Sequence, residues 1–208
     1  MGRVLRRLAS RYGIGRRVDA PSRDPYRVLV DCVLSLRTKD EVSEPAGQRL
    51  FARARTPTAM LRLPARTIAG IIYPVGFYRR KAAQIRALSR LLVDDCGGRV
   101  PDRIDALLAL PGVGRKTANL VVTQGFGRPG ICVDTHVHRI TNRLGWVRTR
   151  HPHETESELR RILPRRWWIP INAILVRHGQ SVCKPISPLC SQCVVRADCP
   201  RRGVGRWR

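Results

Sequence analysis

The run Leu110-Pro111-Gly112-Val113-Gly114-Arg115-Lys116-Thr117-Ala118-Asn119 lies between two segments of helical periodicity, Ile104 to Leu108 and Lys116 to Gln124. Two glycines in so short a turn let the backbone take conformations that other residues resist, and let amide groups approach a ligand closely. The second helix begins near Gly114, so its unladdered N–H groups and the positive end of its dipole face the turn. That is an anion site, and with Arg115 and Lys116 attached, the anion it suits is a DNA phosphate. An ordinary tight connection between packed helices would use the same Pro-Gly-Val-Gly; the adjoining cations favour phosphate.

The rest of the chain supports that preference. Of its 208 residues, 40 are Lys or Arg and 15 Asp or Glu, a formal charge of +25 that points to a polyanionic partner. A hydrophobic content of 43% excludes a disordered basic tail and provides for a core. No apolar stretch reaches the roughly 18 residues needed to span a bilayer, so no membrane partner is expected. The Arg-rich N-terminus, whose first acid is Asp19, reads as a short helix carrying Val4, Leu5 and Leu8 rather than as a transit segment. Only four of the basic residues are lysines: Lys39, Lys81, Lys116 and Lys184. Where Arg is used almost everywhere a cation is merely useful, a retained Lys marks a position that Arg does not serve.

Periodicity is helical nearly throughout. Asp24 to Leu36, Lys81 to Val93, Val137 to Leu144, Glu154 to Leu163 and Ile171 to His178 each carry an apolar stripe. Thr56-Pro57 is a helix start and Gly97-Gly98 a helix stop. A weak strand signal appears only at Gly130 to Val133. The expected fold class is all-α with short connections.

Lys116 is a candidate nucleophile. An amine that attacks the C1′ carbon of a sugar forms a Schiff base, which permits β-elimination of the 3′ phosphate. The amine must be neutral to attack, and a helix start beside Arg115 disfavours an ammonium. Arg stays protonated and cannot take this role. A lysine that simply contacts phosphate is the other reading of the position. Asp134, followed by Thr135 and an apolar-periodic helix, is an N-cap; an ionised carboxylate there also stabilises positive charge developing on a sugar. His136 and His138 read as structural or DNA-facing.

Seven cysteines without a secretory signal point to a reducing compartment. Cys32, Cys96 and Cys132 sit singly and read as small buried hydrophobes. Cys183, Cys190, Cys193 and Cys199 are crowded with spacings of six, two and five intervening residues, enough to surround one metal centre. Taken alone, the spacing admits either zinc or an iron–sulfur cluster. Lys184 and the nearby arginines surround these thiols with positive charge.

The hairpin run, together with Val133-Asp-Thr-His-Val-His-Arg-Ile140, resembles the endonuclease III family of helix-hairpin-helix DNA glycosylases. Leu34-Ser-Leu-Arg-Thr-Lys-Asp40 and Val75-Gly-Phe-Tyr-Arg-Arg-Lys-Ala82 resemble further segments of the family, and the similarity runs from about Tyr26 to Cys199. The resemblance implies a six-helix domain at residues 22–128 and a second, iron–sulfur domain from residues 1–21 and 129–208, flanking a DNA-binding cleft. It places the family's nucleophile on Lys116, its catalytic aspartate on Asp134 and a [4Fe–4S] cluster on Cys183, Cys190, Cys193 and Cys199. DNA contacts are expected from Gly112, Gly114, Arg115, Lys39 and Lys184.

A duplex hides its bases, so the target must be flipped out and the gap filled. Arg37, where many members carry Gln, and Phe77 fall on loops that resemble the family's inserting loops. A phosphate contact for Arg37 and core packing for Phe77 are the plainer readings. The implied activity is a bifunctional glycosylase and abasic-site lyase acting as a monomer on oxidised pyrimidines in double-stranded DNA, or on abasic sites, in the cytoplasm near the nucleoid. A uracil or thymine mismatch glycosylase of the same fold is the alternative, and a non-catalytic, metal-stapled DNA-binding module a further one. The chain also ends soon after Cys199, where an adenine glycosylase of the family is expected to continue into a further recognition domain.

Overall fold

Helix α2 (Pro25–Ser35) organises the larger hairpin-bearing part of the molecule. Asp24 starts it by accepting the Arg27 N–H at 2.8 Å, and Pro25 supplies a preset first turn. Val28, Leu29, Val30, Val33 and Leu34 are buried along it, and α3 (Asp40–Arg53), α6 (Tyr78–Cys96) and α8 (Arg115–Leu120) pack against it. Gly47 lets α3 come close: a Cβ there would stand 2.6 Å from the Asp31 carboxylate. The short helices α4 (Pro57–Leu61) and α5 (Ala65–Ile72) pack on α6. Thr56 caps α4 through its hydroxyl, which accepts the Ala59 N–H at 3.1 Å. Gly97, at φ 60°, ends α6 in the left-handed conformation, and the Gly98 N–H returns to the Leu92 carbonyl at 2.7 Å. Helix α7 (Ile104–Leu108) then leads through the hairpin into α8, which continues as a π-helical turn over Val121–Gly125.

The computed structural model describes residues 1–15 and 23–208. They divide into two units, Ala20–Arg128 and Met1–Asp19 with Pro129–Arg208. The boundary expected at residues 21 and 22, like Asp19, lies outside the described residues. Among its described residues the first unit has seven α-helical segments, two of them only five residues long, where the resemblance implies six. Helices α3 and α5 have no counterpart in the periodicity reading.

The second unit is built from α1 (Gly2–Arg11), α9 (Thr135–Arg143), α10 (Pro152–Ile162) and α11 (Pro170–Ser181). Leu5, Leu8, Val137, Ile140, Trp167 and Ile174 form its core. Helix α1 packs on α11, and its Arg3 and Arg7 both pair with Asp198, in the segment that carries the clustered cysteines. Residues Gly130 to Val133 are not a strand, and there is no strand among the described residues. Ile131, Cys132 and Val133 are buried in extended chain, and the side-chain amide of Asn172 takes the Cys132 carbonyl at 3.2 Å. The β-like composition of the run reflects burial without a pairing partner. The fold is all-α, and no described helix is long and apolar enough to cross a membrane.

Candidate active site and metal-binding loop

The hairpin is anchored by Leu110 and Val113, both buried, with the Val113 N–H donating to the Leu110 carbonyl at 3.1 Å. Gly112 stands between them at φ 75°, and a Cβ there would meet the Gln84 amide nitrogen at 2.1 Å. The left-handed backbone is what calls for glycine here, since the Gln84 amide is the end of a flexible side chain that can swing away. Gly114 is the N-cap of α8 in extended conformation, and the first bond of the helix runs from the Ala118 N–H to the Gly114 carbonyl at 2.9 Å. Thr117, Ala118 and Asn119 face the core, whereas Gly112, Gly114, Arg115 and Lys116 are exposed. Sequence and structure thus agree on a cationic, solvent-facing helix start. Lys116 also lies within electrostatic reach of Cys32: burial pushes that thiol up to about 11, and the Lys116 charge acts in the opposite direction. Cys32 and Cys96 are half-buried and Cys132 fully buried, so only Cys132 is wholly the small core residue expected of all three.

Asp134 is the N-cap of α9. One carboxylate oxygen, Oδ1, accepts both the His136 N–H at 2.9 Å and the Val137 N–H at 2.8 Å. The cap thus engages a single oxygen of a half-buried carboxylate at the positive end of a helix. His138 points into a hydroxyl and amide network, with its Nδ1 2.7 Å from the Thr155 hydroxyl and 3.4 Å from the Asn142 amide. Burial lowers its proton affinity, and the nearby His151 acts in the same direction. This is a structural histidine.

Arg37 and Phe77 are both exposed, and both adopt left-handed backbone, at φ 53° and 58°. Phe77 is 61% exposed, so core packing does not describe it. Lys39 is exposed at the N-cap of α3.

The cysteine-bearing loop hangs from two arginines that sequence reasoning missed. Arg143, buried on α9, donates to the carbonyls of Lys184 and Pro185, each at 2.7 Å, and reaches the Cys183 sulfur at 3.4 Å. Arg139 donates to the Cys183 carbonyl at 2.8 Å. Their spacing of four on α9 was the only available signal, and among so many arginines it does not stand out. Lys184 turns its ammonium onto the Gln180 carbonyl near the end of α11, which uses one of its three donors.

Cys183, Cys190, Cys193 and Cys199 line one cavity, walled by Ile140, Leu144, Val182 and Val195. Burial holds the thiols of Cys190, Cys193 and Cys199 above their ordinary range, and the neighbouring thiols push in the same direction. A positively charged metal core is what would ionise them. A single zinc holds four sulfurs at about 2.3 Å from the ion. Among the described residues no group of three or more Cys, His, Asp or Glu is arranged to hold one metal ion. The four thiols share their cavity with Arg143, His178, Arg196 and Arg201, a thiol donor set in a basic setting.

Comparison with known proteins follows the same lines. Residues 30–165 match the HhH-GPD superfamily of base excision DNA repair proteins. Endonuclease III of Thermotoga maritima is 50% identical over 188 residues, covering 89% of this chain and 88% of that protein. The endonuclease III-like protein 1 of Bos taurus is 45% identical; the match covers 86% of this chain but 61% of the longer bovine protein. Among solved structures, a trapped endonuclease III–DNA covalent intermediate, an estranged-adenine complex, superimposes with a TM-score of 0.85 at 35% identity. That match covers 96% of this chain and 94% of the other.

Proposed function

The chain belongs to the endonuclease III family of base excision DNA repair glycosylases, and on that premise we propose that it is bifunctional, excising oxidised pyrimidines from duplex DNA and then cleaving the strand. The observation that carries this reading is Lys116: an exposed lysine in the first turn of α8, directly after a hairpin whose left-handed turn favours glycine, in a chain with four lysines. Phosphate binding needs only charge, which Arg would supply.

Neutral Lys116 Nζ attacks C1′ of the damaged nucleotide, and the bond from C1′ to the base breaks as the base leaves with its electron pair. Asp134, with one oxygen engaged in the cap, keeps carboxylate charge for the positive charge that grows on the sugar. Loss of a proton from Nζ and opening of the sugar give an imine between Lys116 and C1′. Removal of a proton from C2′ then expels the 3′ phosphate by β-elimination, and hydrolysis of the imine frees the lysine. Gly112, Gly114 and Arg115 hold the backbone phosphate beside this chemistry, assisted by Lys39 and Lys184 from other surfaces.

Cys183, Cys190, Cys193 and Cys199 would hold a [4Fe–4S] cluster, whose role when bound is to brace the basic loop rather than to react. The cavity shared by the four thiols supports this assignment, as does the family. A monomer acting on nucleoid DNA in the cytoplasm completes the reading.

The test is incubation with three duplexes, carrying thymine glycol, a uracil mismatch or an abasic site, with base release and strand cleavage scored separately. Release of thymine glycol accompanied by cleavage is expected. Release of mismatched uracil or thymine without cleavage would favour the mismatch enzyme, and no release from any duplex would favour a binding module.

A further inference from the structure

Lys81 is another of the four retained lysines, and it is 4% exposed. It lies in the first turn of α6, four residues after Phe77, whose carbonyl its own N–H takes at 3.0 Å. Its ammonium crosses to the end of α2 and donates to the Leu34 carbonyl at 2.8 Å, the Leu36 carbonyl at 2.5 Å and the Thr38 hydroxyl at 3.0 Å. These are three donors on three acceptors, two of them carbonyls that a helix end leaves unladdered. The Thr38 hydroxyl in turn accepts the Gly76 N–H, at 3.2 Å, from the loop that carries Phe77. The two loops touch here: a Cβ on Gly76 would stand 3.1 Å from the Arg37 carbonyl. Arg37 and Phe77, one on each loop, hold left-handed backbone that their side chains do not favour, so something must over-determine them. Beside them Leu36 and Tyr73 are exposed, at 47% and 61%.

Burial disfavours the charged form of Lys81, and the three groups that accept from its ammonium are all neutral. An ammonium directs three N–H groups from one nitrogen, whereas a guanidinium spreads its donors over a plane, so Arg would not reproduce this convergence in the same space.

We propose that Lys81 is a positioning residue that locks the Arg37 loop and the Phe77 loop into one rigid wedge, so that gap filling by the first and intrusion by the second occur as a single event. The proposal rests on the glycosylase reading above, in which these loops enter the duplex.

The test uses the full-length, metal-loaded protein and a duplex with 2-aminopurine opposite the target base, whose fluorescence reports unstacking independently of excision. Lys81→Met, which keeps the stem and removes the ammonium, should suppress the fluorescence rise and slow single-turnover base release from a paired target by about tenfold or more. The loss should shrink to about threefold or less when the target sits in an unpaired bubble, because extrusion is then already complete. Lys81→Met in a Phe77→Ala background should add little to Phe77→Ala alone. Lys81→Arg should not restore the wild-type rate. If Lys81→Met fails to fold, Thr38→Val, which removes the hydroxyl that receives both the Gly76 N–H and the Lys81 ammonium, carries the test in the same direction. Equal losses on paired and bubble targets would assign Lys81 to fold support alone and overturn the proposal, as would a paired rate within twofold of wild type. A wild-type fluorescence rise without base release would instead overturn the glycosylase reading and leave the wedge standing.

Discussion

Replacing Asp134 by Asn separates its two roles. In the structure Oδ1 accepts two backbone N–H groups, at 2.9 and 2.8 Å. An Asn carbonyl oxygen can accept both, so the cap survives and only the charge is lost. Loss of an anion at a helix N-terminus costs about 0.3–1 kcal/mol. Asp134→Ala loses the acceptor as well, which for a cap costs about 0.5–2 kcal/mol. At about 2–4 °C per kcal/mol for a chain of this size, Asn should lower the thermal midpoint by no more than about 4 °C and Ala by visibly more. Catalysis should order differently. If the carboxylate charge stabilises the developing cation on the sugar, both variants lose it, and single-turnover base release should fall by about 100-fold or more in each. The assay pairs thermal unfolding with single-turnover excision at saturating enzyme. Asn releasing base within about threefold of wild type would refute the electrostatic role and leave Asp134 as a cap alone. Asn destabilised as strongly as Ala would refute the cap argument.

Two further outcomes are expected. The purified protein should be brown, with iron and acid-labile sulfide in equal amounts of about four each; a colourless, active protein containing one zinc would contradict the assignment of the four cysteines. DNA affinity should fall steeply with salt, and Lys184→Ala should make that slope shallower by about one unit if the ammonium reaches a phosphate beyond its Gln180 contact, whereas an unchanged slope would confine it to that contact.

Features written in local chemistry were legible in the sequence. Thr56 announces a helix start by capping, Gly97 announces a stop, and Asp134 caps α9 as its position before Thr135 suggests. The hairpin at Gly112 was readable for the same reason, since its conformation is demanded by the turn itself. Helix α3 was not, because Pro45 and Gly47 break its propensity. Its stability comes from packing of Ala46, Leu50 and Phe51 against distant residues. Gly130 to Val133 misled because burial on all sides and strand pairing select the same residue types. Arg143 and Lys81 act through carbonyls 41 and 47 residues away, contacts that no local pattern encodes. For Lys81, its rarity in an arginine-rich chain was a signal, but rarity named the position and not its partners.

In the proposed reaction Lys116 acts as an amine and not merely as a charge. Borohydride reduction during reaction with a damaged duplex should trap wild-type protein covalently on DNA through the Lys116 imine. Lys116→Arg keeps the charge but supplies no neutral amine, so it should bind the same duplex with near-normal affinity, give no trapped adduct and leave the strand uncut. A Lys116→Arg protein that still traps and still cleaves would contradict the account and place the nucleophile elsewhere.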